Sequence, residues 1–223
     1  NTFVYVLSVV PIEIVLAMII AVILEKAVYF KGFFRLVYFM PYISNIVAVS
    51  VVWMALYHPS QGPINQLLMA IGIKNPPLWL ASSKWAMLAL IIMSVWLGIG
   101  YCIVIYMAGL QGIPDEIYEA AKIDGANAIE RFRYITLPYL SPTTFFLLIV
   151  RLIATFQVFG PINIMTEGGP GRATTVLVYH IYRTAFRFYQ VGYASAVAFV
   201  LFLIILALTL VQWKAEKTWV TYN

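Results

Sequence analysis

Residues Glu119–Pro138 read EAAKIDGANAIERFRYITLP and lie between two long apolar segments of this 223-residue chain. Pro114, just before them, suits the first turn of a helix, and the acidic pair Asp115–Glu116 stabilises the positive end of that helix. Gly125 is expected to end it, because glycine adopts the left-handed conformation at low cost. Ala126–Arg133 then predicts a second short helix. Together, residues Pro114–Pro138 are expected to form a compact polar knob that suits docking to a partner outside a membrane.

The rest of the chain is apolar enough to lie in a lipid bilayer. It is 63% apolar and 10% charged, with a mean hydropathy of +0.90, whereas about a quarter of the residues of a soluble domain are charged. The apolar residues form runs of bilayer length, for which about 20 residues are needed. These runs lack the period-2 alternation of barrel strands. The composition therefore predicts an all-α membrane protein, a polytopic bundle of helices.

Five segments are predicted to span the membrane. Each is long enough to cross about 30 Å of hydrocarbon at about 1.5 Å per residue. They are Phe3–Leu24, Leu36–Tyr57, Trp85–Leu110, Tyr139–Gly160 and Gln190–Trp213. Residues 1–223 are interpreted as a single transmembrane domain, with the loop at residues 111–137 outside the bilayer.

Lysine and arginine in the loops predict the orientation. The side that carries the knob has eight of them and the other side has five. The eight are Lys26, Lys31, Arg35, Lys122, Arg131, Arg133, Lys214 and Lys217, and the five are Lys74, Lys84, Arg172, Arg183 and Arg187. Because basic residues favour cytoplasmic loops, the knob and Asn223 are expected inside and Asn1 outside. The same distribution accounts for the basic pI without a nucleic-acid partner.

Several kinds of chemistry are excluded by what the sequence lacks. Cys102 is the single cysteine, so an internal disulfide and a multi-cysteine metal site are ruled out. His58 and His180 are far apart in sequence, and no H-E-x-x-H motif is present. No glycine is followed by lysine, so the chain has no P-loop for ATP. If ATP drives this protein, another subunit binds it.

The knob closely resembles the coupling loop of ABC importer permeases, whose motif is E-A-A-x3-G-x9-I-x-L-P. Every position and spacing of the motif is kept here: Glu119, Ala120, Ala121, Gly125, Ile135, Leu137 and Pro138. Further runs resemble the carbohydrate-uptake branch, which includes maltose- and glycerol-phosphate-like permeases: Ala108–Pro114, Ile123–Ala126, Phe39–Tyr42, Thr166–Pro170 and Ile181–Phe186. Together these runs are spread over nearly the whole chain.

The resemblance implies a transport subunit of the bacterial inner membrane and not an enzyme. A second permease subunit, two ATPase subunits and an extracytoplasmic solute-binding protein would complete the importer. ATP and magnesium would be bound by the ATPase subunits, and this chain would hold no cofactor or metal. Because the family usually has six core spans, one span is expected ahead of Asn1.

The resemblance also implies what the knob does. It would sit in a cleft on the ATPase, with Glu119 in a polar contact, Ala120 and Ala121 in close packing, and Gly125 setting the bend. The coupling residues implied in this way are Glu119, Ala120, Ala121, Asp124, Gly125, Ile135, Leu137 and Pro138.

Candidates for the solute path follow from the residues within the spans. Sugar hydroxyls are typically held by neutral polar groups and aromatic rings. The candidates are Tyr42, Asn45, Trp53, Arg151, Phe156 and Gln157. The expected solute is a carbohydrate, an oligosaccharide or sugar derivative; the alternative is an anionic solute such as glycerol phosphate or an acidic sugar.

Two charged residues lie deep within predicted spans, Glu13 in the first and Arg151 in the fourth. Charges at this depth are costly and usually face a partner or a cavity. Arg151 is therefore expected to point into the bundle, where it either pairs with Glu13 or contacts solute.

Two other function classes remain as rivals. A secondary transporter driven by an ion gradient would be expected to show internal repeats, and none is visible in the sequence. An intramembrane enzyme would need clustered His, Asp or Glu, whereas the acids here concentrate in the knob without histidine.

Overall fold

A computed structural model describes the backbone of residues 1–27 and 31–221, and the side chains of that set apart from residues 26, 27 and 31. Lys26, Lys31 and Asn223, which enter the orientation argument, lie outside the described side chains. The described residues form helices and no strand. In chain order the helices are α1 (Thr2–Ala27), α2 (Lys31–Ile43), α3 (Ile46–Leu56), α4 (Pro63–Ala70), α5 (Ala86–Gln111), α6 (Asp115–Ile123), α7 (Ala128–Arg131), α8 (Leu137–Tyr139), α9 (Ser141–Phe156), α10 (Gly160–Met165), α11 (Leu177–Tyr182) and α12 (Val191–Trp219). A 3₁₀ turn lies at Trp79–Ala81, and π-helical turns lie at Phe132–Thr136 and Arg183–Arg187.

The core of the bundle is the packing of α1 against α5, with α9 beside both. Ala17 and Ala21 of α1 are fully buried, and small side chains four residues apart let two helices approach closely. On α5, a Cβ added at Gly100 would overlap the backbone carbonyl of Tyr38, so the α2 backbone lies directly on α5 there. Small residues therefore set the spacing of the central helices, as in other membrane bundles.

Within the described part of the chain, four segments of membrane length agree with the predicted spans. They are Thr2–Glu25, Ala86–Gln111, Ser141–Met165 and Val191–Trp219, of 24, 26, 25 and 29 residues. The third of these, predicted over Tyr139–Gly160, is longer than expected because α10 continues it after a break at residues 157–159. The fifth predicted span is the broken pair α2–α3.

The sequence predicts one continuous span over Leu36–Tyr57, and the structure divides this segment into α2 and α3. The two helices meet at 97°. The break lies at Ser44–Asn45, where Asn45 Oδ1 accepts hydrogen bonds from the backbone N–H of Val47 (2.8 Å) and Ala48 (3.4 Å). Asparagine stabilises a helix start in this way, so the bend is encoded by a cap inside an otherwise apolar run.

The loops lie at two opposite ends of the helix bundle. At one end, the side chain of Asn1 donates to the backbone oxygens of Arg172 and Thr175 (2.7 and 3.2 Å). At the other end, the backbone N–H of Thr221, after α12, donates to Ser141 Oγ (2.9 Å) at the start of α9. The knob precedes α9 directly, so the chain end after α12 and the knob lie on the same side of the bundle.

The segment His58–Ser83, which forms a cap after α3, is ordered around one buried asparagine. Asn65 Nδ2 donates to the carbonyls of Pro59 (2.9 Å) and Pro77 (3.1 Å), and its Oδ1 accepts from Trp79 Nε1 (2.7 Å). Trp79 packs in turn on Tyr57 with ring centroids 5.1 Å apart. A single side chain thereby ties the cap to the end of α3.

Asn65→Ala is expected to destabilise this cap by about 3 kcal/mol, because it leaves a buried indole N–H and two carbonyls without partners. Thermal unfolding of the detergent-solubilised protein measures the change. Gln66→Ala is the matched control, since Gln66 is exposed and makes a single longer hydrogen bond to Gln61 (3.3 Å). Equal melting temperatures for the two variants would contradict the role given to Asn65.

Candidate functional site

An ion pair between Glu13 of α1 and Arg151 of α9 lies at the centre of the bundle. Arg151 donates from Nε to Glu13 Oε2 and from Nη2 to Glu13 Oε1, both at 2.7 Å. The Glu13 side chain is fully buried and the Arg151 side chain is 12% exposed. Arg151 points into the bundle, as expected, and of its two expected roles the structure shows the pairing with Glu13. Two parallel hydrogen bonds of this length make the strongest form of arginine–carboxylate contact.

A glycine on α5 makes room for this pair. A Cβ at Gly98 would overlap both the Glu13 carboxylate and the Arg151 guanidinium. The pair therefore lies against the bare backbone of α5 and joins three helices at one depth. Gly98 is not among the residues predicted from the sequence, because a glycine in a span that is apolar on all sides gives no sign of which neighbour it faces.

A cavity of about 180 Å³ opens beside the ion pair. It lies between α1, the α2–α3 bend, α5 and the α9–α10 break, so two discontinuous helices border it. Arg151 is the one charged side chain among the described residues that line it. The lining residues are Tyr5, Val9, Tyr42, Ile46, Ser94, Leu97, Gly98, Arg151, Ala154, Thr155, Val158, Phe159 and Pro161. Transporter sites are often formed where broken helices meet near the middle of the membrane.

Two of the predicted path residues, Tyr42 and Arg151, line this cavity. Tyr42 lies at the end of α2, is 40% exposed, and stacks on Tyr101 of α5 with ring centroids 5.0 Å apart. The structure also brings in Ser94, which accepts a 2.6 Å hydrogen bond from the Tyr5 hydroxyl. Small hydroxyl groups inside apolar helices gave no sequence signal that separates a cavity from helix packing.

The other four predicted path residues lie outside the lining of this cavity. Asn45 caps α3, as described above. Trp53 is buried among aromatic rings, with centroids 5.1 Å from Tyr57 and 5.5 Å from Trp96. Phe156 is 1% exposed, and its ring meets that of Phe3 edge-on. Gln157 is exposed at the end of α9. Their contact with solute stays a prediction.

The knob has the two-helix form that the sequence predicts. Gly125 has φ +83°, and the hydrogen bond from Ala126 N to Ala121 O (2.9 Å) closes the end of α6. The Asn127 side chain then caps α7, and the backbone N–H of Asn127 donates a 2.7 Å hydrogen bond to the Glu130 carboxylate. This φ confirms the left-handed turn predicted at Gly125. A residue with a Cβ is strained in that conformation.

The surface of the knob carries unusual apolar exposure. Ile123 is 87% exposed, Ile129 77% and Tyr134 69%. Glu119 and Ala120 are also exposed on α6. Three large apolar side chains exposed on one short polar segment are suited to contact with a partner. Of the remaining predicted coupling residues, Ala121, Ile135 and Pro138 are half-buried, and Asp124 and Leu137 are exposed.

Comparison with known proteins connects this architecture to a transport family. Residues 1–218 match the family described as the binding-protein-dependent transport system inner membrane component. The lactose transport system permease protein LacF of Rhizobium radiobacter is 37% identical over 97% of this chain and 74% of its own length. The sn-glycerol-3-phosphate transport system permease protein UgpA of Agrobacterium fabrum is 37% identical over 93% of this chain and 71% of its own length.

A solved structure has the same fold. It is the bacterial alginate ABC transporter in complex with an alginate pentasaccharide-bound periplasmic protein. A chain of that complex superposes with a TM-score of 0.84 at 26% identity, covering 98% of this chain and 76% of that one. With the knob and the helical bundle already described, these matches lead to one conclusion: the chain belongs to the family of binding-protein-dependent transport system inner membrane components, the permease subunits of ABC transporters.

Proposed function

We propose that this chain is a subunit of an ATP-driven importer and forms part of the membrane path for a carbohydrate. Relatives whose names give lactose and glycerol phosphate, and a solved relative that carries alginate, support a sugar or a sugar-like solute. The single observation that carries the proposal is the knob, whose exposed apolar side chains lie at one end of a bundle with a central cavity lined in part by Arg151.

The knob is the proposed contact with an ATP-hydrolysing subunit. Ile123, Ile129 and Tyr134 provide the apolar contact, and the exposed Glu119 provides a charge at its edge. Gly125 sets the angle between α6 and α7, which fixes the relative placement of these side chains. The proposed coupling set is Glu119, Ala120, Ala121, Asp124, Gly125, Ile135, Leu137 and Pro138.

Rigid helices can transmit a movement of the knob to the central cavity beside Arg151. The knob is joined directly to α9, which carries Arg151, and follows α5, which carries Gly98. A cavity of about 630 Å³ lies between the knob and the ends of α1 and α5, lined among others by Val22, Leu110 and Lys122. Closure of the ATPase subunits is therefore expected to move the knob and shift α5 and α9 around the central site.

The assembly implied by this function has several partners. It includes a second permease subunit, two ATPase subunits that bind ATP and magnesium, and an extracytoplasmic solute-binding protein. The knob and the chain end after α12 are placed in the cytoplasm, because the ATPase subunits act there and because lysine and arginine are in excess on that side.

Uptake by reconstituted vesicles tests the proposal. The complex purified with its partner subunits is expected to take up a labelled sugar only when ATP is present on the side of the knob, and vanadate should stop uptake. Uptake that persists without ATP and follows an ion gradient would replace this function with secondary transport. Hydrolysis of the sugar by the chain alone would indicate an intramembrane enzyme.

A further inference from the structure

We infer that the cavity beside the Glu13–Arg151 pair is a subsite for an uncharged sugar ring and disfavours acidic sugars. The inference rests on the proposed transport function and adds to it the charge of the solute. It addresses a choice that the relatives leave open, because their names include lactose, glycerol phosphate and alginate.

The charge of the cavity disfavours an anionic solute. Arg151 is the one charged side chain among the described lining residues, and two of its nitrogens already donate to both oxygens of Glu13. Glu13 is fully buried behind it and carries the opposite charge. A carboxylate or phosphate that entered would lose its water without gaining an unpaired positive charge. It would also approach the Glu13 carboxylate, whose negative charge offsets the attraction between Arg151 and an anion.

The remaining hydrogen-bonding groups suit hydroxyls. Arg151 pairs through Nε and Nη2, and no acceptor among the described residues contacts its Nη1. Because Arg151 lines the cavity, its Nη1 is available to donate a hydrogen bond to a sugar oxygen there. Ser94 and Thr155 line the same cavity and add hydroxyl groups. Neutral hydroxyls accept from a guanidinium that is already paired, and they need no counter-charge.

An aromatic ring completes the subsite. Tyr42 lines the cavity and is 40% exposed, and its stacking on Tyr101 holds the ring in place. The apolar face of a sugar ring packs on such a surface, as aromatic side chains do in many ligand sites. The cavity volume of about 180 Å³ is below the roughly 300 Å³ at which ordinary ligand pockets begin. The site therefore suits one part of an oligosaccharide.

Equilibrium binding to the assembled complex in lipid nanodiscs tests the inference, without ATP and without the solute-binding protein. The two probes are a radiolabelled neutral gluco-oligosaccharide and an oligo-uronate of the same length. The neutral probe is expected to bind with a Kd at least about tenfold lower, because the uronate loses hydration without compensation. Equal or tighter uronate binding, or no measurable binding of the neutral probe, would overturn the inference. Since ATP plays no part in this measurement, such a result would leave the ATP-driven uptake test standing.

Two variants separate the aromatic and charge contributions. Tyr42→Ala is expected to weaken neutral binding about tenfold through loss of ring contact, whereas Met40→Ala, on the same helix outside the cavity lining, should leave it unchanged. Glu13→Gln, measured per folded complex, frees the Arg151 charge and should shift preference toward the uronate. The double variant Glu13→Gln/Arg151→Gln should retain the neutral preference. If Tyr42→Ala matches Met40→Ala, or if the single and double Gln variants select alike, the site is not the one inferred.

Discussion

Arg151→Ala is expected to cause the loss of most of the folded protein. The substitution leaves the fully buried Glu13 carboxylate without its two hydrogen bonds. Breaking a buried ion pair by removing one partner costs about 3–5 kcal/mol, which is a large share of the stability of a typical domain. Folded yield after detergent extraction, measured by size-exclusion chromatography, is the readout, and Glu13→Ala should behave in the same way.

The exposed pair Glu167–Arg187 is the matched control for this prediction. Its nitrogen and oxygen are 3.4 Å apart, and its side chains are 64% and 49% exposed. A solvent-exposed pair contributes only about 0–1 kcal/mol, so Arg187→Ala should leave folded yield near that of the wild type. The double variant Glu13→Leu/Arg151→Met should recover much of the yield, since it removes both charges and fills similar volume. A well-folded Arg151→Ala protein would show that the pair is not required for folding.

Gly125→Val is expected to abolish ATP-driven uptake while the membrane bundle still folds. Gly125 has φ +83°, and a β-branched residue in that conformation carries about 1–3 kcal/mol of strain. The turn between α6 and α7 would relax, and the face formed by Ile123 and Ile129 would change shape. Uptake and ATP hydrolysis by the reconstituted complex measure the loss, and folded yield shows that the bundle survives.

Gly112→Val is the matched control for the knob. Gly112 lies in the same loop with φ −80°, and a Cβ there would meet Gly109 O at 3.4 Å, an ordinary contact. Uptake by this variant should stay near the wild-type rate. Glu119→Lys should lose uptake as Gly125→Val does, because it reverses a charge on the proposed docking face. Normal uptake by Gly125→Val with ATPase subunits bound would exclude the knob as the coupling element.

Some features of the site could be predicted because the sequence leaves few alternatives. Glu13 is the one acid at a depth comparable to that of Arg151 in the predicted spans, so the cost of an isolated charge in the bilayer made their pairing one of the two roles expected for Arg151. The glycine turn at Gly125 follows from helix-ending chemistry, which depends on local sequence alone. Both predictions rest on strong local penalties and need no knowledge of packing.

Other features were beyond the sequence for a definite physical reason. A span that is apolar on all sides has no periodicity to show which face meets the cavity, so Ser94 and Gly98 of α5 could not be placed. Asn45 is an example of the same ambiguity, since a lone polar residue in an apolar run could cap a helix or bind solute. Hydropathy measures the apolar length of a segment and not its direction, and the 97° bend at Asn45 therefore escaped it.

The contact of Glu13, Gly98 and Arg151 has an evolutionary consequence. Loss of either charge alone leaves the other buried and uncompensated, and a larger side chain at position 98 would displace both. Single substitutions at these positions are therefore each selected against, whereas a combined change can be tolerated. Among related permeases, positions 13, 98 and 151 are expected to vary together, and a lineage that loses the pair should replace both charges along with the glycine.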